Sequence, residues 1–175
     1  LCKLMEKIIN NGLSCHIEHN QILNPLQAGF RKKHNTTDVL VNLESDIHNA
    51  FLNKEILTTI SFNLEKAFDT TWRYLPLKKL HDWNIGGNIY NFIKNVLSIR
   101  TFQTRIQGIL SSTRPLQNGI PQGSPMSVTL FIMAINDILD QVRTPVKALL
   151  FADDLLLFMS RQKINQQYKA TCSQP

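Results

Sequence analysis

Residues 149–158 read Leu149-Leu150-Phe151-Ala152-Asp153-Asp154-Leu155-Leu156-Leu157-Phe158. Four apolar residues run into two adjacent carboxylates, and four more apolar residues follow. Short apolar runs on both sides of a polar pair predict two buried strands joined by a tight turn. Asp tolerates turn geometry, so the pair fits the hairpin tip. Two adjacent negative charges repel, and a purely structural hairpin would rather carry Asn-Gly there. A cation that neutralises both is the simplest physical reason for Asp-Asp. Oxygen-only ligands of this hardness suit Mg²⁺ or Mn²⁺ rather than zinc. A solvated turn whose carboxylates point at water is the other reading, and these ten residues alone leave both open.

Around this hairpin lie 175 residues, enough for one domain with a real core. Apolar residues at 43% and charged residues at 18% exclude a disordered chain. Nineteen Lys and Arg against 13 Asp and Glu give a net charge of +6, which suits a polyanionic partner such as nucleic acid. Cys2, Cys15 and Cys172 are odd in number and widely spaced, so they read as free thiols of an intracellular protein of nucleus or cytoplasm. Cys15, His16 and His19 lack a second ligand pair and read as surface polar residues rather than a metal cluster. No apolar run is long enough for a membrane span. The chain opens on Leu1 directly into a helical pattern, which reads as a fragment of something longer.

Leu1, Leu4, Met5, Ile8 and Ile9 recur at helical spacing, with Gly12 expected to end or weaken that helix. Residues 14–26 read as polar connection broken at Pro25. The basic cluster Arg31-Lys32-Lys33-His34 precedes Asn35-Thr36-Thr37, which supplies N-cap residues for a helix over 38–52. Val39, Leu40, Leu43, Ile47 and Phe51 form its expected buried stripe. Basic residues aimed at a helix N-terminus make an anion site, and a solvated charge run is the alternative.

Residues 56–64 predict a strand that ends near Asn63. Helices are expected from about Pro76, with Leu77, Leu80 and Trp83 inward, and beyond Gly86-Gly87, with Ile89, Phe92, Ile93, Val96 and Leu97 inward. Thr101 to Ile106 alternates like a half-buried strand, Gly108 marks a turn, and residues 112–116 return. Gln117-Asn118-Gly119-Ile120-Pro121-Gln122-Gly123-Ser124-Pro125 cannot be regular structure. Its glycines permit close backbone or ligand approach before an apolar helix over 126–140. Beyond Met159 the apolar pattern stops, and residues 161–175 read as a polar tail without order.

Three stretches in this order form a recognisable set. Ile60 to Trp72, which includes Asn63-Leu64-Glu65-Lys66-Ala67-Phe68-Asp69, resembles the first palm motif of reverse transcriptases. Gly119-Ile120-Pro121-Gln122-Gly123-Ser124-Pro125 resembles the loop and helix that follow it, and Phe151-Ala152-Asp153-Asp154 resembles the hairpin signature. Gln27-Ala28-Gly29-Phe30-Arg31 with Thr36-Thr37-Asp38 is similar to the fingers motif of non-LTR, LINE-type, jockey-like retrotransposons. So is the opening Cys2 to Ile9. The resemblance covers about residues 1–160.

The resemblance implies an α+β right-hand polymerase: an antiparallel palm sheet backed by helices, partial fingers and no thumb. Residues 1–52 would be partial fingers and fingers-palm helices, and residues 53–160 the palm. It implies RNA-directed DNA synthesis on an RNA template from a DNA primer, with dNTP as substrate. Two Mg²⁺ or Mn²⁺ ions would clamp the attacking and leaving oxygens. Residue by residue, Asp153 and Asp154 resemble metal ligands. Phe68 sits at the family's gate against the ribose 2′-hydroxyl, although core packing also explains a Phe there. Gln122 and Gly123 resemble the wall around the nascent pair, and Arg31 and Lys32 resemble groups that steady the triphosphate. No membrane partner is implied, and oligomeric state is left open.

One departure outweighs the matches. The family places a metal-bridging Asp where this chain has Asn63. Asn offers one neutral carbonyl oxygen to ions that prefer carboxylates. Loss of the second ion and a rate lower by at least ~10²-fold are expected. Glu65 and Asp69 are the nearby carboxylates, and neither is expected to replace it. Ser127-Val128 stands where the family has Ser-Pro, and the next palm motif, with its Lys, is not identifiable in the tail. These departures read as a degenerate or truncated copy: an impaired polymerase or a non-catalytic nucleic-acid-binding remnant.

Overall fold

The computed structural model describes residues 1–162. The expected polar tail lies outside the described residues from position 163 on, as does Cys172. Arg161 and Gln162 are not tail: they extend the last strand.

α1 spans Cys2–His19 and α2 spans Thr36–Leu52. Gly12 does not end α1. It sits exposed inside the helix, a position that costs about 1 kcal/mol relative to Ala and is tolerated here. The buried face of α1 is also not the one expected. Leu4, Met5 and Ile8 are exposed, and Leu13 and Ile17, one and two turns further on, enter the core. Hydrophobic spacing identified the helix but not which part of it had a partner. α2 starts as its sequence predicts: the Asn35 side chain accepts from the Asp38 N–H at 2.9 Å, and Asp38 complements the helix dipole. Val39, Leu43 and Ile47 of its stripe are half-buried, whereas Leu40 and Phe51 are exposed.

β1 (Glu55–Asn63) is followed by the short α3 (Ala67–Thr70), then α4 (Tyr74–Asp82) and α5 (Gly87–Ser98). Pro76 lies in the first turn of α4, two residues inside its start, where its missing N–H still breaks no helical bond. Leu77, Leu80, Ile93 and Leu97 are buried as expected. The expected half-buried strand over 101–106 is instead two short exposed pieces. β2 (Thr101–Phe102) pairs β5 (Arg114–Pro115), and β3 (Arg105–Ile106) pairs β4 (Ile109–Leu110) around Gln107-Gly108. Alternation marked the strand type, but no layer covers either face.

α6 (Ser127–Ile135) runs into a 3₁₀ segment, Asn136–Gln141, so the helix expected to Asp140 tightens in its second half. α6 is apolar all round and correspondingly buried, with Leu130, Phe131 and Met133 fully inaccessible. Together with Leu13, Ile17, Leu80, Ile93 and Leu97 these residues form the main core, so α1, α4, α5 and α6 share one interior. Lys79 of α4 is buried and paired with Asp137 of the 3₁₀ segment.

β6 (Lys147–Phe151) and β7 (Asp154–Gln162) complete a three-stranded antiparallel sheet in the order β1-β7-β6. A smaller cluster of Leu139, Ala148 and Leu150 fastens this sheet to the 3₁₀ segment. The hairpin strands are only partly buried: Ala148, Leu150 and Phe158 are buried, and the other apolar residues are half-buried.

Candidate active site

The β6–β7 turn has Ala152 and Asp153 as its two central residues, with Phe151 opposite Asp154. The tip is therefore not the Asp-Asp pair itself: Asp154 already belongs to β7. Ala152 takes a left-handed φ of 58°, and this first central residue meets the turn's handedness requirement. Asp153 is half-exposed and Asp154 exposed. Across the sheet, Asn63 is the register partner of Asp154. The last residue of β1 thus stands beside the turn.

The donor set is two carboxylates and one amide oxygen, all hard, which suits Mg²⁺ or Mn²⁺. Among the described residues Asp153 and Asp154 have no ion pair, and no group of three His, Cys, Asp or Glu converges anywhere. Glu65 and Asp69 therefore do not complete the pair. Asp153 and Asp154 are of the donor type that a divalent ion takes, and Asn63, the third group at the turn, is neutral.

Phe68 stacks on Phe131 of α6, ring centroids 4.8 Å apart and 28° from parallel. The ring is half-buried, one side packed against the main core. The Gly-rich loop is stitched to the same segment. Ile120 N–H donates to Phe68 C=O at 2.7 Å and Gly119 N–H to Thr71 C=O at 3.0 Å. Gly119 has φ +86°, and a Cβ there would fall 2.8 Å from the Asp69 carbonyl oxygen, so both conformation and space require glycine. Gln122 Nε2 donates to Asp69 Oδ1 at 3.3 Å. Gly123 has φ +80° with open space around it. The structure thus brings Phe68, Gln122 and Gly123 together.

Two arginines lock the base of this loop. Arg100 donates to Gly119 C=O at 2.6 Å, and Arg73 to Leu116 C=O at 3.3 Å. Burial, with the neighbouring Arg73 cation, holds the Arg100 pKa below its usual value, and Asp69 partly opposes that. From Asp82 the sequence carries no carboxylate until Asp137, whereas Lys94, Arg100, Arg105 and Arg114 fall between them. That stretch includes the exposed β2–β5 strands, whose surface is accordingly cationic.

Arg31 differs from expectation. Its Nε and Nη2 donate to both Glu18 carboxylate oxygens at 2.9 and 2.7 Å, and Nη1 donates to the Asn24 and Gln27 carbonyls at 3.2 and 3.0 Å. Its side chain is 8% exposed. The guanidinium has too few free donors to hold a triphosphate and instead clamps the connection between α1 and α2. The hydrogen bond from Arg31, reinforced by its charge, holds the Glu18 carboxyl below its ordinary range despite some burial. Lys32 is exposed. With Lys33, His34, Asn10 and Asn11 it lines a cleft of about 640 Å³ that includes neither Asp153 nor Phe68.

Residues 26–29 also reach the turn. Gln27 forms a parallel bridge with Leu150, Ala28 N–H donates to Leu150 C=O at 2.9 Å, and Leu150 N–H donates to Leu26 C=O at 3.4 Å. The segment straps the free edge of β6 and arrives at the turn. The only sequence signal was its place inside a motif; nothing in its residue types pointed to Ala152.

A mixed helical and antiparallel-sheet domain with these ordered motifs defines the class. The family described as reverse transcriptase (RNA-dependent DNA polymerase) matches residues 1–174, and the chain belongs to it. Within that family it groups with the non-LTR, jockey-like retrotransposon enzymes. It is 31% identical over 172 residues to the probable RNA-directed DNA polymerase from transposon BS of Drosophila melanogaster, covering 95% of this chain and 19% of that protein. It is 31% identical over 146 residues to the RNA-directed DNA polymerase from mobile element jockey of the same fly, covering 83% of this chain and 16% of that protein. A Pol polyprotein from type-1 retrotransposable element R2 of Popillia japonica is 28% identical over 170 residues, 90% of this chain and 23% of that protein. The chain thus spans about a fifth of the length of these curated relatives. No helix among the described residues is long and apolar enough to cross a membrane.

Proposed function

We propose that this chain is the palm, with part of the fingers, of a reverse transcriptase that adds dNTPs to a DNA primer on an RNA template, and that Asn63 impairs it. In this reading residues 1–52 are fingers and fingers-palm helices, and residues 53–160 the palm. The primer 3′-hydroxyl attacks the dNTP α-phosphate and pyrophosphate leaves. Asp153 and Asp154 would hold Mg²⁺ or Mn²⁺, which when bound neutralises charge on the attacking and leaving oxygens. Phe68, braced by Phe131, would abut the ribose and exclude a 2′-hydroxyl. Gln122 and Gly123 would wall the nascent pair, and Lys32 would meet phosphate. Arg31 serves indirectly, by holding the strap.

The observation that carries this reading is the register: Asn63 faces Asp154 across the sheet, beside the carboxylate turn. Substituting Asp there adds the missing charge at a position the fold already presents. The test is primer extension on an RNA template with Mg²⁺ and dNTPs, comparing the chain, Asn63→Asp, and Asp153→Ala as blank. Asn63→Asp is expected to extend at least ~10²-fold faster than the chain as it stands. Equal extension by both would refute the impairment.

A second reading, a non-catalytic remnant that still binds nucleic acid, is favoured by the stretch between Asp82 and Asp137 that has cations but no carboxylates. It predicts no extension by either protein, with RNA affinity that falls steeply with salt as counterions are released.

A further inference from the structure

We infer that Gly29 and Gln27 are positioning residues for the carboxylate turn: their fit against Ala152 sets where Asp153 and Asp154 stand, and the turn's affinity for a divalent ion depends on it. This rests on reading the turn as the ion site.

Gly29 is buried against the turn, and its glycine identity is a matter of space. A Cβ on it would lie 2.0 Å from Ala152 N, 2.8 Å from Ala152 Cα and 2.9 Å from the Phe151 carbonyl carbon. All three are backbone atoms, so no side-chain rotation could relieve the overlap. Its φ is not in the left-handed region, unlike that of Gly119 or Gly123. The turn and the strap would have to separate.

The turn itself needs holding. Ala152 adopts the left-handed conformation, which is sterically costly for a residue with a Cβ and persists where surrounding contacts over-determine it. Those contacts come from the strap. The two backbone hydrogen bonds to Leu150 fix its track along β6. Gln27 is wholly buried, and its Oε1 accepts from Gly29 N–H at 2.9 Å, which fixes the strap's curvature where it meets the turn. Arg31 then ties the Gln27 and Asn24 carbonyls to Glu18 on α1. A continuous chain of bonded groups therefore runs from α1 to the peptide that precedes Asp153. Changes one shell behind metal ligands typically shift metal affinity by roughly ten- to a hundredfold.

The test measures Mn²⁺ affinity from the free-ion electron paramagnetic resonance signal, with thermal unfolding followed in parallel. The parent is Asn63→Asp, with Asp153→Ala as the site control. Gly29→Ala in that parent is expected to bind Mn²⁺ about tenfold more weakly or worse. Gly86→Ala, whose Cβ would meet nothing within 4 Å, should leave affinity unchanged. Gln27→Leu, which removes the acceptor for Gly29 N–H without adding overlap, should weaken binding in the same direction and replaces Gly29→Ala if that variant does not fold. A lowered unfolding temperature with Mn²⁺ affinity equal to the parent's would mean a merely structural role and would overturn the inference while the ion site stood. Absence of Asp153-dependent Mn²⁺ binding in the parent itself would remove the ion site, and the inference with it.

Discussion

Of the nine residues of α6, Ser127, Thr129, Leu130, Phe131, Ile132, Met133 and Ala134 are buried, whereas none of the nine residues of β1 is. The two elements carry different candidate residues. α6 contributes Phe131, which backs Phe68. β1 contributes Asn63, which stands exposed beside the turn. Burial sets what each position tolerates. Removing atoms from a close-packed interior leaves a cavity that the fold cannot fill, but changing an exposed strand end alters charge and little else. Tolerance to substitution therefore differs between the two: the α6 positions are constrained by packing, whereas Asn63 is free of it.

The largest expected effect tests the helical half. Phe131→Ala removes a fully buried ring and the support under Phe68, and should cost about 3–5 kcal/mol in chemical unfolding. A cost near that of an exposed substitution would break the contrast. Asn63→Asp is its counterpart. It should change the extension rate while moving the unfolding free energy by no more than about 0.5 kcal/mol.

Gly119→Ala probes the seam between the halves, where the loop meets the Phe68 segment. The added Cβ meets the Asp69 carbonyl at 2.8 Å, and the φ of +86° disfavours any side chain. The expected loss is more than about 1 kcal/mol, read from the denaturation midpoint.

The smallest effect concerns the clamp on the strap. The folded Glu18 carboxyl lies below its ordinary value, so its contribution is present above the unfolded value of 4.5 and is lost as pH falls through the folded pKa. Wild type should exceed Glu18→Gln in unfolding temperature by a constant margin above about pH 5, and the margin should shrink below pH 4.5. A margin that does not depend on pH would show that the Arg31 contact works without the carboxylate charge.

Most of this was legible in the residues. The carboxylate hairpin, the Asn35 cap, the α5 stripe and the Gly-rich loop each carry a local signal: period, capping oxygen, or breakers in a short run. The misreadings share one cause. Leu4, Met5 and Ile8 have helical spacing but no neighbour, and residues 101–106 alternate with nothing over them. Pattern reports what a segment could bury, and the neighbours that bury it come from elsewhere in the chain. Arg31 resembles a triphosphate-steadying group by its place in a motif, whereas the contacts it makes are with Glu18 and two backbone carbonyls. Its partner Glu18 lies back on α1 while Arg31 sits in the connection that follows, and no local pattern links them.

The sequence by itself determined the family, the order of the motifs, most strand and helix types, and that Asn63 is an amide rather than a carboxylate. Those follow from side-chain chemistry and spacing along the chain. Tertiary structure alone decided that Asn63 stands opposite Asp154, that Phe68 rests on Phe131, and that Gly29 presses on the turn. Each is a contact between residues far apart in sequence, set by register and by how closely two backbones approach, and neither quantity is encoded in any single stretch.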